Sequence, residues 1–460
     1  MIISIEAINL SLILLTFLMI FLDSISSNTN SNNHYSNSDF LISFIIVIFM
    51  ILSSINFIYE GLYNKDELAF IQSCSNVFIF INAFIFINIL KINKNKFEYN
   101  KIYFLTLASV TILSININSS YDVIKTLTTT TWLVIMTTLA IKTTKGSKKA
   151  EVGVKLAYNC VFILIIGLFN LIFADILNIE NTNFIKGYDS IINANNVFIF
   201  FSLMSIFCIN GIPPFHIGHI NCADGANLST AFFLYSNSCI LGLFNLFNLK
   251  YYFFNSYHQN ASAFKILITI ISLSFLIICF RLMDQSKIKR TVAYMASCVA
   301  PLVCLAVLIG NSLSLPHRVY IIGIYAFISL SLFCLFCSLQ VMESINNHLI
   351  TWEDISGFGR QNKLKTLCFL IAIASIAGIP GTVGYFVKLS LLSYMQDSII
   401  FHLFIFISIG MGVACLMRMF VFFYSKAPNE YKNSENKPLP YLLIIACATL
   451  SILGLFPFIR

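Results

Sequence analysis

Apolar stretches recur along almost the whole chain, separated by short polar segments. A helix needs roughly 20 predominantly apolar residues to cross the hydrocarbon core of a bilayer. Runs of that kind lie near 2–22, 40–58, 69–90, 102–117, 123–141, 153–176, 197–217, 228–248, 264–280, 292–309, 319–341, 367–394, 399–424 and 439–459. The pattern predicts an all-α polytopic membrane protein of about 14 transmembrane helices. The fourth run is short and the twelfth long, while Ser26–Asp39, rich in Ser and Asn, reads as a polar loop.

Composition sharpens the class. Of 460 residues, 58% are hydrophobic and 10% charged, against about 25% charged in an ordinary soluble domain. Isoleucine, asparagine and the 45 phenylalanines have AT-rich codons, a bias that points to an organellar or endosymbiont genome. Met1–Leu22 carries Glu6 and has neither a basic leading segment nor a small-residue cleavage site. It therefore reads as a span, not as a cleaved signal.

The basic residues test the span count. Odd-numbered loops hold 19 Lys and Arg, from Lys91 to Lys437, and even-numbered loops hold 6, among them Lys65, Lys186 and Arg318. Basic loops stay on the cytoplasmic or matrix side, so odd loops are expected there and both termini opposite. The net charge of +8 then reports topology, and no nucleic-acid partner is expected.

Thirteen cysteines lie almost all in apolar runs. Cys334 and Cys337 have CxxC spacing, but within a span, where two small apolar residues on one helix face are the expectation. No four-cysteine set suggests an iron–sulfur cluster, and no Gly-rich loop follows a strand. Neither a cofactor nor a metal is expected in this chain.

One run is both interrupted and charged. Between Leu367 and Tyr394 the only charge is Lys388, and Gly378-Ile379-Pro380-Gly381 breaks the run ahead of it. A lysine at membrane depth costs at least ~2.5 kcal/mol, so such residues usually face a wet cavity or a partner. Carbonyls freed by a break are tolerated only where protein or water satisfies them. Two readings fit: a proton or cation path, or an ammonium that snorkels to the interface near Tyr394. A second break, Gly211-Ile212-Pro213-Pro214 with Phe215 and His216, lies five spans earlier. An odd offset reverses orientation across the bilayer, and paired breaks mark an inverted-repeat transporter with its site beside them. The predicted organisation is 1–120 for helices 1–4, 121–250 for a first half with broken helix 7, 264–424 for a second half with broken helix 12, and 425–460 for the C-terminal helix. The two halves form two inverted five-helix repeats.

Three stretches resemble one family. They are Gly211–Ala231 (GIPPFHIGHINCADGANLSTA), Ile288–Ser297 (IKRTVAYMAS), and Glu353–Arg360 (EDISGFGR) followed by Ser375–Lys388 (SIAGIPGTVGYFVK). Each resembles a signature of the antiporter-like membrane subunits of respiratory NADH:quinone oxidoreductase, complex I. Fainter likeness lies in Ala150–Lys155 and Leu416–Tyr424, and the whole covers the chain from about Tyr121 onward. The third match favours the branch of mitochondrial subunit 2, which carries lysine in its twelfth helix, over that of subunit 4, which usually carries glutamate. The resemblance implies a proton-translocating subunit of an H+-translocating NADH:ubiquinone reductase, with no redox centre of its own. NADH, flavin, iron–sulfur clusters and quinone would belong to other subunits. Partners would be other membrane-arm subunits, further antiporter-like ones included, and membrane lipids. The location implied is the mitochondrial inner membrane, multi-pass, with odd loops in the matrix and both termini in the intermembrane space.

Departures from the family bear on mechanism. Its fifth-helix glutamate falls near Leu127–Thr131, one lysine at Ile209 or Asn210, another near Ser238, and a histidine at Val299. Lys388 is matched directly, and the resemblance implies a proton-transfer role for it. His216 and His219 are candidates to feed protons toward the break, since unperturbed imidazoles titrate near physiological pH. Asn210, Asn237 and Ser238 would line a hydrated axis, or else hydrogen-bond between helices. Such a row relays a proton but does not store one. His216 equally belongs to a structural turn. Lys125, three residues after Asp122, reads as half of a helix-face ion pair or as a stand-in beside the lost glutamate. Asp224 reads as a polar loop anchor, or else as a proton acceptor, Glu60 and Arg418 as anchors near span ends, and Arg281, Asp284 and Lys287–Arg290 as a solvated loop. Gly211, Pro213, Pro214, Gly378, Pro380 and Gly381 form the breaks. A free-standing cation/proton antiporter stays open, although the scarcity of acidic residues inside the spans speaks against cation coordination. A membrane-arm scaffold that has lost its channel also stays open.

Overall fold

Without water to satisfy N–H and C=O groups, long runs of Leu, Ile, Phe and Val have one local solution, the helix. The computed structural model describes residues 46, 48, 51–56, 59, 67–92, 99–118, 122–144, 148–182, 200–250, 261–309, 315–345, 351–394, 399–425, 444–449 and 451. Among these residues there is no strand; an isolated bridge joins Lys287 to Thr351. The first and last predicted spans, Glu60 and the Asn/Ser-rich loop lie wholly or mostly outside them.

The long helices are Glu67–Ile92, Tyr99–Asn118, Asp122–Thr143, Lys148–Thr182, Leu228–Leu249, Ala261–Met283, Ile288–Ile309, Leu315–Ile345 and Ile399–Tyr424. Shorter ones are Phe200–Asn210, Ile217–Gly225, Phe358–Gln361, Lys363–Ala377 and Val383–Tyr394. Among the described residues six helical segments are long and apolar enough to span a membrane: Leu68–Leu90, Ala150–Phe169, Leu228–Leu249, Ile288–Leu308, Tyr320–Glu343 and Ile405–Tyr424. Several helices outrun their apolar stretch. The run 153–176 becomes a helix of 35 residues, and the short fourth run becomes one of 20. Hydropathy records where side chains stop being apolar, whereas the backbone ladder continues through polar residues that keep helical geometry.

Two compact units form, Met1–Ile209 with Phe244–Tyr257, and Asn210–Leu243 with His258–Arg460. In the first, helices Glu67–Ile92, Tyr99–Asn118, Asp122–Thr143 and Lys148–Thr182 pack each against the next. The Asn116 amide donates to the Lys125 carbonyl (2.8 Å) and to Thr128 Oγ1 (2.7 Å), which fixes the second of these helices to the third.

In the second unit Ile288–Leu308 is central, with 94% of its apolar window buried, whereas for Ile405–Tyr424 the figure is 22%. The latter turns Phe406, Met417, Phe420 and Val421 outward, as a lipid-facing helix must. The Lys287–Arg290 cluster is not the expected solvated loop. Lys289 and Arg290 form the first turn of Ile288–Ile309 and pair with Glu343 (2.7 Å) and Asp224 (3.3 Å). Asp224 is likewise not in a loop but in helix Ile217–Gly225. These acids come from elements far off in sequence, so local charge density gave no sign of the pairing. Arg281 and Asp284 are exposed, as expected, but Arg281 belongs to the last turn of helix Ala261–Met283 and not to a loop.

The EDISGFGR segment is a structural latch. Asp354 accepts from the Thr351 N–H (2.7 Å) and Oγ1 (3.1 Å). Trp352 donates to the Gln285 carbonyl (3.1 Å) and stacks on Phe422. Arg418, expected only as an interfacial anchor, lies 5.5 Å over the Trp352 ring and donates to the Met283 carbonyl at 2.7 Å. Together these set the entry of Lys363–Ala377.

Candidate functional site

Helix Lys363–Ala377 ends because Gly378 adopts φ +79°, a left-handed stop that glycine takes without steric cost. The Gly378 N–H bonds back to Ala374 and Ser375, and the Ile379 N–H to Ala374. The last carbonyls of a helix have no donor in a following turn. One of them, Ala377, accepts from Lys388 Nζ at 2.8 Å. The negative end of a half-helix dipole favours a cation at that point. Thr382 Oγ1 donates to the Ile379 carbonyl at 2.7 Å and closes the turn before Val383–Tyr394 begins.

Lys388 is 2% exposed. Its ammonium is directed inward at the break and does not snorkel. Beside it is a cavity of about 20 Å³, lined by Cys279, Cys298, Ile376, Ala377 and Ser408 among others. A single water needs about 10–15 Å³ by the same measure, so the cavity fits one. Cys279 and Cys298 both stand in its wall. Ser375, fully buried, has a side-chain oxygen with no partner among the described residues. The arrangement is an amine that holds or releases a proton, a carbonyl that orients it, and space for one water.

At the first break Gly211 takes φ +60° and the Pro213–Pro214 bond is cis. The Phe215 N–H returns to Ile212 (2.9 Å), and helix Ile217–Gly225 follows. Asn210 is 1% exposed. Its amide donates to Cys304 Sγ at 3.7 Å, and its Oδ1 has no partner among the described residues. It lies where a side chain on Gly242 would be, 2.1 Å from a Cβ built there. The Ser238 hydroxyl turns back to its own helix, donating to the Tyr235 carbonyl at 3.0 Å. His216 is partly exposed, 6.2 Å from the Tyr294 ring. His219 is fully buried, with its ring edge-on to Tyr235 at 5.6 Å.

Lys125 is half-buried in the first unit. The Asp122 side chain lies outside the described residues, so their ion pair is not described. Pro213 is buried, whereas Pro214 and Pro380 are exposed. Tyr235, Ser297, Ser375 and the Cys279–Cys298 pair carry no sequence signal, since each matters through a neighbour distant in the chain. Among the described residues no group of His, Cys, Asp and Glu is arranged to hold a metal.

A family described as "NADH:quinone oxidoreductase/Mrp antiporter, TM" matches residues 121–423. The chain belongs to that family. The matched stretch contains both breaks and Lys388. Among curated relatives, NADH-quinone oxidoreductase subunit N 2 of Thermodesulfovibrio yellowstonii is 28% identical over 55% of this chain and 54% of its own length. NADH-quinone oxidoreductase subunit N of Buchnera aphidicola is 27% identical over 55% of this chain and 54% of its own length. The chain therefore spans about half the length of the curated relatives it matches. Among solved structures, a chain of respiratory complex I from Thermus thermophilus aligns with TM-score 0.75 and 14% identity, over 98% of this chain and 97% of the other. A chain of the membrane-bound sulfane sulfur reductase, an archaeal respiratory membrane complex, aligns with TM-score 0.77 and 13% identity, over 98% and 94%. At such identity the likeness is one of fold.

Proposed function

We propose that this chain is a proton-translocating membrane-arm subunit of respiratory NADH:quinone oxidoreductase, of the kind called subunit 2 in mitochondria. The observation that carries the reading is Lys388. It is one amine, buried at a helix break inside the family's matched region, bonded to a freed carbonyl and beside a water-sized cavity. Lys388 takes up a proton, holds it against the Ala377 carbonyl, and releases it when neighbouring subunits change the surrounding field. The energy comes from electron transfer elsewhere, so this chain has no need of a redox group.

The same reading gives fourteen spans in two inverted five-helix repeats, with odd loops in the matrix and the chain in the mitochondrial inner membrane. The compositional bias and the split of basic residues between loops support it. Its partners are the other membrane-arm subunits and lipids, and NADH, flavin, iron–sulfur clusters and quinone sit in other subunits.

The test is Lys388→Met in the assembled complex, read as protons moved per NADH oxidised in liposomes. A lowered ratio is expected, and an unchanged one sinks the role of Lys388. Native separation of solubilised membranes checks membership, since peptides of this chain should migrate with the large NADH-oxidising band. A separate small species would point instead to a free-standing antiporter. Membership together with an unchanged ratio favours a scaffold, the reading suggested by the neutral residues at Ile209, Asn210 and Ser238.

A further inference from the structure

The first break repeats the relationship found at the second. A Cβ on Gly211 would meet His219 Cγ at 2.6 Å and Nδ1 at 2.7 Å, and one on Gly378 would meet Lys388 Cδ at 2.5 Å. In both, a left-handed glycine stops a half-helix, and the space its side chain would fill holds a basic group from the helix that follows. Both bases are buried, His219 at 0% and Lys388 at 2% exposure.

The surroundings continue the polar character. The His219 ring meets Tyr235 edge-on at 5.6 Å, and Ser297 Oγ donates to the Tyr235 hydroxyl at 3.3 Å. The charged groups nearest in sequence, Asp224 and in the adjoining helix Arg290, pair with each other. An imidazole on Ile217–Gly225, a phenol on Leu228–Leu249 and a hydroxyl on Ile288–Ile309 therefore follow one another across three helices.

We propose that His219 is the proton-carrying base of the first half, doing at the Gly211 break what Lys388 does at the Gly378 break, with Tyr235 and Ser297 as its onward relay. The proposal rests on the proton-translocating reading above and extends it to a residue outside the family positions that are neutral in this chain. A proton taken up at one ring nitrogen is matched by release from the other. The Ser297 hydroxyl turns to its other acceptor, the Ala293 carbonyl (2.9 Å). The phenol oxygen then accepts the proton while passing its own to Ser297, Ser297 releases its own to a water molecule, and the hydroxyls rotate to reset. All three groups end neutral, and no bond between heavy atoms changes.

The test uses the whole complex in liposomes, carrying His219→Gln, His219→Lys, Tyr235→Phe or Lys388→Met, read as protons moved per NADH oxidised. H219Q and Y235F are each expected to lower the ratio, as K388M does, and the H219Q/K388M double variant to lower it no further than either single one. H219K keeps a titratable base and is expected to recover part of the loss, which a purely packing role would not allow. A wild-type ratio in H219Q and Y235F beside a lowered one in K388M overturns the proposal and leaves the proton-translocating reading standing. A wild-type ratio in all three overturns both. Should H219Q fail to assemble, Y235F decides alone, because it removes one oxygen and keeps the ring; a wild-type ratio there overturns the proposal.

Discussion

Gly378 and Lys388 share one space. A methyl group on the glycine would stand 2.5 Å from Lys388 Cδ and 3.4 Å from Nζ, so the amine lies against the end of its half-helix only because position 378 has no side chain. The break and the charge, ten residues apart in the chain, form a single device. One ends the helix and the other uses the carbonyl that the ending frees.

Gly378→Ala should therefore disturb more than its size suggests. The φ of +79° is one that L side chains rarely adopt, and holding a non-glycine residue there costs of the order of 1–3 kcal/mol. The added carbon also displaces the Lys388 stem. Thermal inactivation of the solubilised complex should shift down, and protons per NADH should fall in whatever assembles. Pro380→Ala, at an exposed position of the same turn, should stay within about 0.5 kcal/mol of wild type. Equal effects for the two would show that the Gly378–Lys388 contact is unimportant.

A second pair gives a cleaner energetic test. A Cβ on Gly242 would lie 2.1–2.4 Å from three side-chain atoms of Asn210. Gly242→Ala should destabilise by about 1–3 kcal/mol through overpacking, and most of that cost should vanish in an Asn210→Ala background. Residues in direct contact couple by about 0.5–3 kcal/mol in a double-mutant cycle. The cycle is measurable by denaturant or heat on the solubilised protein, and additive effects would mean that the two residues do not touch.

The thiols supply a check that needs no mutation. All thirteen cysteines are free and buried. A water-soluble maleimide applied to native membranes should label none of them, whereas treatment in SDS should label thirteen, read by mass spectrometry of the chain. Labelling of Cys279 or Cys298 in the native state would mean that the Lys388 cavity opens to water far more widely than its volume of about 20 Å³ implies.

Much of this was open to reading from the residues in order. Helices at the apolar runs follow from hydropathy, because in lipid a backbone must satisfy itself. The two breaks follow from Gly and Pro, and the importance of Lys388 from its being the only charge in its run. Those features are local: each depends on what a residue does to its own stretch of backbone or to its own hydration.

The tertiary structure alone decided which groups meet. Ala377 receives the ammonium, and the Ser238 hydroxyl is spent on its own helix. His219, which the order of residues placed at the end of a span, is wholly buried under Gly211. Lys289 and Arg290 find acids 54 and 66 residues away. Periodicity and composition carry no record of such pairings, because they arise from how helices approach one another, and that approach is set by the missing side chains of a few glycines and the packing of many apolar ones.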